Sequence, residues 1–144
     1  MMECEFPTVN ANPDEFKAIF ESVKTIAIPG LSPNEEKDSH RVARYLQEQG
    51  YKIIPIYPKE ETILGEKVYR SLEEVEEQID MVDMFRKPAV ADAIVDAIAK
   101  RGDVKVLWLQ KGIVNNAAAE RAEAMGLTVV QNRCTMVEHR GIYG

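Results

Sequence analysis

The stretch 25-TIAIPGLSPNEEKDSHRVARYLQEQG-50 decides the fold. Thr25 to Gly30 reads as a short buried strand. Val42, Ala43, Tyr45 and Leu46 then recur at helical spacing, and Gly50 stops the helix. A strand, a loop around one glycine and a helix set the unpaired N–H groups and positive dipole end of that helix just beyond the strand, where a phosphate is held well. The helix is expected to start near Asp38 or Ser39. Gly30 allows a close backbone approach, Ser32 offers a hydroxyl, and Lys37, His40 and Arg41 put cations around the helix start.

Working outward, strand-like and helix-like segments alternate. Residues 12–23 read as a helix, with Asn12 as N-cap, Pro13 in the first turn, and Phe16, Ile19, Phe20 and Val23 on one face. KIIPIYP, closed by Pro58, is the second strand. Residues 59–78 are less regular, although 71-SLEEVEEQ-78 suggests a short helix with Ser71 as N-cap and Glu74 at the capping-box position. IDMVDMF is the third strand, and Pro88 opens a helix whose apolar face includes Val90, Ile94, Val95 and Ile98. VKVLWLQ is the fourth strand. NNAAAERAEAMG is a helix ended by Gly126, and LTVVQN is the fifth strand. Segments in this order give an α/β fold: a parallel sheet of about five strands with helices on both faces, in one domain over residues 1–144, with residues 1–11 as a flexible segment. A ligand of such a sheet sits beyond the C-terminal strand ends.

Composition narrows the function. Of 144 residues, 45% are hydrophobic and 29% charged, which is ordinary for a globular chain. A net charge of −6 argues against a nucleic-acid surface. No apolar run approaches a membrane span, and the acidic N-terminus lacks a signal-peptide core, so a cytoplasmic location is expected. Cys4 and Cys134 are not at metal-ligand spacing, no metal site is expected, and Cys4 is expected to be a reduced thiol.

The phosphate ligand is not read as an ordinary dinucleotide. Gly30 is the only glycine between Thr25 and Gln49, so G-x-G-x-x-G is missing. Glu60 and Glu61 come too late after the second strand for the ribose-binding acid. No G-x-x-x-x-G-K-[ST] occurs. An NAD(P)-binding protein is therefore the disfavoured reading.

Several stretches, in this order and spacing, carry a resemblance: IAIPGLSPNEEKDSHRVARYLQEQGY, IIPIYPKEETILGEKVYRSLEEV, VDMFRKP, VLWLQKGI and AEAMGLTVVQNRCTMVEHR. From about Phe16 to Arg140 the sequence resembles the small stand-alone CoA-binding proteins of Rossmann-like fold, relatives of the N-terminal domain of the succinyl-CoA synthetase α subunit. The resemblance implies coenzyme A as the ligand. It implies that Gly30, Leu31, Ser32 and the helix start hold the CoA phosphates. The backbone from Pro55 through Tyr57 to Pro58 would border the adenosine part. Phe85, Arg86, Lys87 and Pro88 would line the pantetheine channel, and Gln110, Gly112 and Ile113 would close its far side. Lys111, in the same loop, receives no ligand role. Pro29 departs from the expected pattern, because proline fixes φ and has no N–H for the sheet ladder.

Plainer readings stand beside these. Ser32 is either a ligand donor, the favoured reading, or a turn residue before Pro33. Of Lys37 and Arg41, at least one is expected to bind. Arg86 and Lys87 are either contacts or ordinary surface cations. Trp108, Tyr45 and Tyr51 are assigned to core packing, and His40 is expected to be exposed. Cys134 and His139, on a segment read as irregular, have a structural role as the leading reading and an activated thiolate as the minority one. Cys134 also stands where a thiol would lie near the CoA sulfur, open to a mixed disulfide.

The synthetase needs a phosphohistidine in a later domain and a second subunit, neither of which 144 residues are expected to hold. A non-catalytic module binding CoA or an acyl-CoA is thus expected, the alternative being a thiol-dependent or acyl-CoA-using enzyme. A homodimer and a partner enzyme both stay open. Gly30→Val is expected to block the ligand while leaving the fold largely intact.

Overall fold

The structure, a computed structural model, describes residues 6–144. Cys4 and the first part of the segment expected to be flexible lie outside the described residues. Within the remainder of that segment, Ala11 N–H donates to Val129 O at 2.8 Å, and Asn10 Oδ1 accepts Gln131 N–H at 2.8 Å.

A 3-10 turn over Pro13–Glu15 leads into α1, Phe16–Ser22. β1 spans Thr25–Pro29, α2 Asp38–Glu48 and β2 Lys52–Ile56. A small hairpin follows, β3 Thr62–Ile63 and β4 Glu66–Lys67, turned by Leu64 and Gly65 at positive φ. β5 is Met81–Met84, α3 Ala91–Arg101, β6 Val106–Leu109, α4 Asn116–Ala124, β7 Thr128–Val130 and α5 Thr135–Tyr143.

Among the described residues, five strands form one parallel sheet in the order β2-β1-β5-β6-β7. This is the α/β, Rossmann-like fold expected. The chain moves outward from β1 to β2, then crosses back to β5 on the other side of β1. The order therefore reverses between β1 and β5, and the crevice beyond those two strand ends is where such sheets bind ligands.

The register explains the two layers of core. Ile54, Ala27, Val82, Leu107 and Val129 lie in one row across the sheet and pack on α3 and α4. The adjacent row, Ile53, Ile26, Met81 and Val106, points the other way, towards α1, α2 and α5. Side chains alternate along a strand, so near-continuous apolar runs are required when both faces are covered. Trp108 is fully buried between Phe16 and Phe20, at ring-centroid distances of 5.3 and 5.5 Å, and its Nε1–H donates to Arg133 O at 2.8 Å. Core packing is its role, as expected.

Two readings need correction. SLEEVEEQ forms only a 3-10 turn, Leu72–Glu74, although Ser71 N–H does reach Glu74 Oε1 at 3.3 Å. The Arg101 guanidinium takes the carbonyls of Leu72, Val75 and Glu77, so those acceptors serve the arginine rather than a helix. The segment after Cys134 is the helix α5. Its buried residues, Thr135 and His139, are polar, so apolar periodicity gave no signal there.

Candidate functional site

The crevice at the strand-order switch is built from the β1–α2 loop, the ends of β5 and β6, and the start of α5. Gly30 has φ +87°, and a Cβ placed on it would lie 2.5 Å from Phe85 O and 2.9 Å from Phe85 C. Glycine is thus required by the protein's own backbone, which fills the space next to it. The expectation that Gly30→Val would spare the fold is overturned by this contact. Pro29 fits at the end of β1. Its carbonyl accepts Phe85 N–H at 2.9 Å, while the neighbouring ladder bond runs from Gly30 N–H to Ile56 O at 3.0 Å.

Leu31 is fully buried in the core beneath α2, and its N–H bonds Ile28 O at 3.2 Å. Ser32 N–H donates to Ser39 Oγ at 3.0 Å, and Ser32 Oγ accepts Asn34 N–H at 3.0 Å. The hydroxyl therefore shapes the turn, and its own proton stays free to donate. His40 was expected to be exposed and is buried. Its Nδ1 lies 2.9 Å from Ser32 O, and because a carbonyl only accepts, Nδ1 carries the proton. His40 thus pins the loop down onto α2. Lys37 is exposed at the N-cap of α2. Arg41 pairs with Asp38 and donates to Glu36 O at 2.7 Å, which holds a cation beside the helix start.

A groove of about 310 Å³ opens between α2 and α5, lined by Asp38, Arg41, Val42, Phe85, Gln110, Lys111, Ile113, Cys134, Met136 and Val137. A second hollow of about 380 Å³ shares Lys111, Cys134 and Val137 with it, then runs past Gln131 and Arg133 towards Asn10. The two hollows adjoin over the sheet end, sharing those three lining residues. Of the expected ligand contacts, Arg41, Phe85, Gln110, Ile113 and Cys134 line the groove. Pro55, Tyr57 and Pro58 stand apart at edge strand β2, where Pro55 is buried and Pro58 exposed. Arg86, Lys87 and Pro88 are exposed at the turn before α3. Gly112 is exposed, and its N–H donates to Asn132 Oδ1 at 2.6 Å. Val42, Met136 and Val137 were missed in the sequence because groove-lining apolar residues look like core.

Under the groove lies a polar network that the sequence also concealed. Gln110 Nε2 donates to Asp83 Oδ1 at 2.5 Å and to Thr135 Oγ1 at 2.9 Å, and the Thr135 hydroxyl donates to Asp83 Oδ2 at 2.9 Å. Burial pushes the Asp83 carboxyl up to about 7, against the two hydrogen bonds that favour its ionised form. An aspartate inside a strand that otherwise reads MVM was the signal available, since an unpaired buried carboxylate is too costly to occur without partners.

His139 does not pair with Cys134. Its Nδ1 meets Tyr45 OH at 2.7 Å, and its ring packs against Phe20, Tyr45, Tyr51 and Tyr143. Burial holds its pKa below the ordinary imidazole value. This cluster joins α1, α2 and α5, which is a structural role. Tyr45 and Tyr51 are half-buried parts of the same packing. No helix among the described residues is long and apolar enough to cross a membrane.

Known proteins are similar to this chain in sequence and in fold. The family described as CoA binding domain matches residues 24–140. The chain is 36% identical over 134 residues to the uncharacterized protein YneT of Bacillus subtilis (strain 168), across 90% of this chain and 96% of that one. A hypothetical protein from Pyrococcus horikoshii OT3 has a similar structure, with a TM-score of 0.89 and 37% identity over 99% of this chain and 100% of that one. The ADP-forming acetate–CoA ligase of Methanocaldococcus jannaschii is 33% identical over 118 residues, a match covering 77% of this chain and only 17% of the ligase. On these matches and on its fold, the chain belongs to the CoA binding domain family.

Proposed function

We propose that this protein binds coenzyme A or an acyl-CoA at the C-terminal ends of its parallel strands, as a binding module. The observation that carries the reading is the groove running from the start of α2, across Phe85 and Gln110, to Cys134, with a second hollow adjoining it, in a chain of this family. A long ligand with an anionic head and a flexible arm needs a phosphate anchor followed by a partly apolar groove. The phosphates are assigned to the Gly30–Ser32 loop and the α2 N-terminus, with Lys37 and Arg41 as nearby cations. The adenosine part is assigned to the side of Pro55–Pro58, and Arg86, Lys87 and Pro88 to the outer edge of the pantetheine path. The pantetheine arm is assigned to Phe85, Gln110 and Ile113, with its sulfur towards Cys134.

Isothermal titration calorimetry of ligand-stripped protein tests the reading, with CoA as titrant and NAD as the control. One saturable CoA site per chain with no NAD response is the expected result. NAD binding without CoA binding would overturn it in favour of a dinucleotide site.

A further inference from the structure

Two buried glutamines end neighbouring strands, and only one has all its hydrogen-bonding groups engaged. Gln131, after β7, accepts Asn115 N–H at Oε1, 2.8 Å away, and donates from Nε2 to Val9 O at 2.8 Å and to Asn116 Oδ1 at 3.1 Å. Gln110, after β6, spends both Nε2 hydrogens inward, on Asp83 and on Thr135. Its Oε1 accepts no hydrogen bond among the described residues. No polar side-chain atom is both buried and unpartnered among the described residues, so this oxygen opens onto the groove that Gln110 lines.

The orientation follows from the partners. Asp83 accepts from Gln110 at Oδ1 and from Thr135 at Oδ2. Thr135 gives its single proton to Asp83 and so accepts from Gln110 in turn. With both partners accepting from Nε2, the NH₂ end of the amide faces inward. The carbonyl end is left outward, fixed from below by two other elements, β5 and α5.

Building on the CoA reading, we propose that Asp83 and Thr135 are positioning residues that lock the Gln110 amide, so that Oε1 accepts an N–H from the pantetheine arm. That arm carries two secondary amides, each with one N–H donor. A locked acceptor favours such a donor, and a freely turning amide would spend part of its time presenting N–H to N–H.

The test compares CoA with adenosine 3′,5′-bisphosphate, which keeps the nucleotide end and lacks the arm. Gln110→Met removes the acceptor at similar length, Thr135→Val removes the hydroxyl at constant shape, and Thr135→Ser restores it. Thr135→Val and Gln110→Met should each weaken CoA on the order of tenfold. Thr135→Ser should stay near wild type, and bisphosphate affinity should hold in all three, which also reports that the site is folded. The double variant Gln110→Met/Thr135→Val should bind no more weakly than Gln110→Met alone, because Thr135 acts only through Gln110. Additive losses, or equal weakening of CoA and the bisphosphate, would assign Thr135 a structural role and overturn the proposal. CoA binding unaffected by Gln110→Met would overturn it while leaving the CoA reading standing. Wild-type protein that binds no CoA would overturn both.

Discussion

The two ends of the sheet handle polar groups in opposite ways. At the N-terminal end two carboxylates are spent on tying strand ends together. Asp80 Oδ2 accepts the N–H groups of Lys24 and Thr25 at 2.8 and 3.1 Å, tying the start of β1 to β5. Asp103 accepts Ile79 N–H at 3.0 Å and is held by Arg101 through both carboxylate oxygens, at 3.0 and 2.8 Å. Arg101 uses its remaining donors on three carbonyls. At the C-terminal end the network of Asp83, Gln110 and Thr135 is more deeply buried, yet it leaves one oxygen open onto a groove. Closed networks hold strands together, whereas a rigid network with one open acceptor is what a binding site needs.

The largest effect should come where this division breaks down. Gly30 belongs to the C-terminal end, but its lack of a side chain serves packing. Gly30→Val must push a Cβ into the Phe85 backbone at a left-handed φ, at a cost of about 4 kcal/mol from clash and strain together. Urea denaturation checks this, and unchanged stability would mean that the loop swings open and that Gly30 guards ligand access after all. Next in size, Arg101→Ala should cost about 3 kcal/mol, because it strands the Asp103 carboxylate and three carbonyls. CoA affinity of the folded variant should change less than about twofold, since the proposed site is at the opposite end of the sheet. A large affinity loss would show that the two ends are coupled.

The smallest effect is a change of slope with pH. The folded pKa of Asp83 is raised from 3.8 to about 7, and the groups bonded to it, Gln110 and Thr135, do not titrate. Its contribution to stability is therefore fully present below pH 3.8 and lost as pH rises through about 7. Asp80 has the opposite sign. Burial pushes its pKa up, but the Lys24 and Thr25 N–H groups prevail and lower it, so its contribution is present above pH 3.8 and lost as acid protonates it. Thermal melts across pH should show Asp83→Asn flattening the fall towards neutrality and Asp80→Asn flattening the loss in acid. Identical profiles for the two variants would contradict the contrast between the two ends.

Much of the fold was legible in the sequence, for reasons visible in particular residues. TIAIPG, KIIPIYP and VKVLWLQ are apolar on both faces because the sheet is covered on both, and Pro13, Pro88, Gly50 and Gly126 punctuate the helices between. The loop after β1 was legible as a loop around one glycine, though not the reason for that glycine. Helix α5 was not legible, because Thr135 and His139 present a polar face to the interior. His40 gave no sign of burial, because what draws it in is a single carbonyl, Ser32 O, eight residues back.

The sequence by itself determined the order of strands and helices and the family resemblance. These follow from local periodicity, turn chemistry and short motifs, each readable within a few neighbouring residues. Only the tertiary structure decided that Gly30 faces the Phe85 backbone, that His139 serves an aromatic cluster, and that Gln110 turns its oxygen towards the groove. Those outcomes depend on partners such as Asp83 and Thr135, 52 residues apart in the chain, which meet only when β5 and α5 pack together.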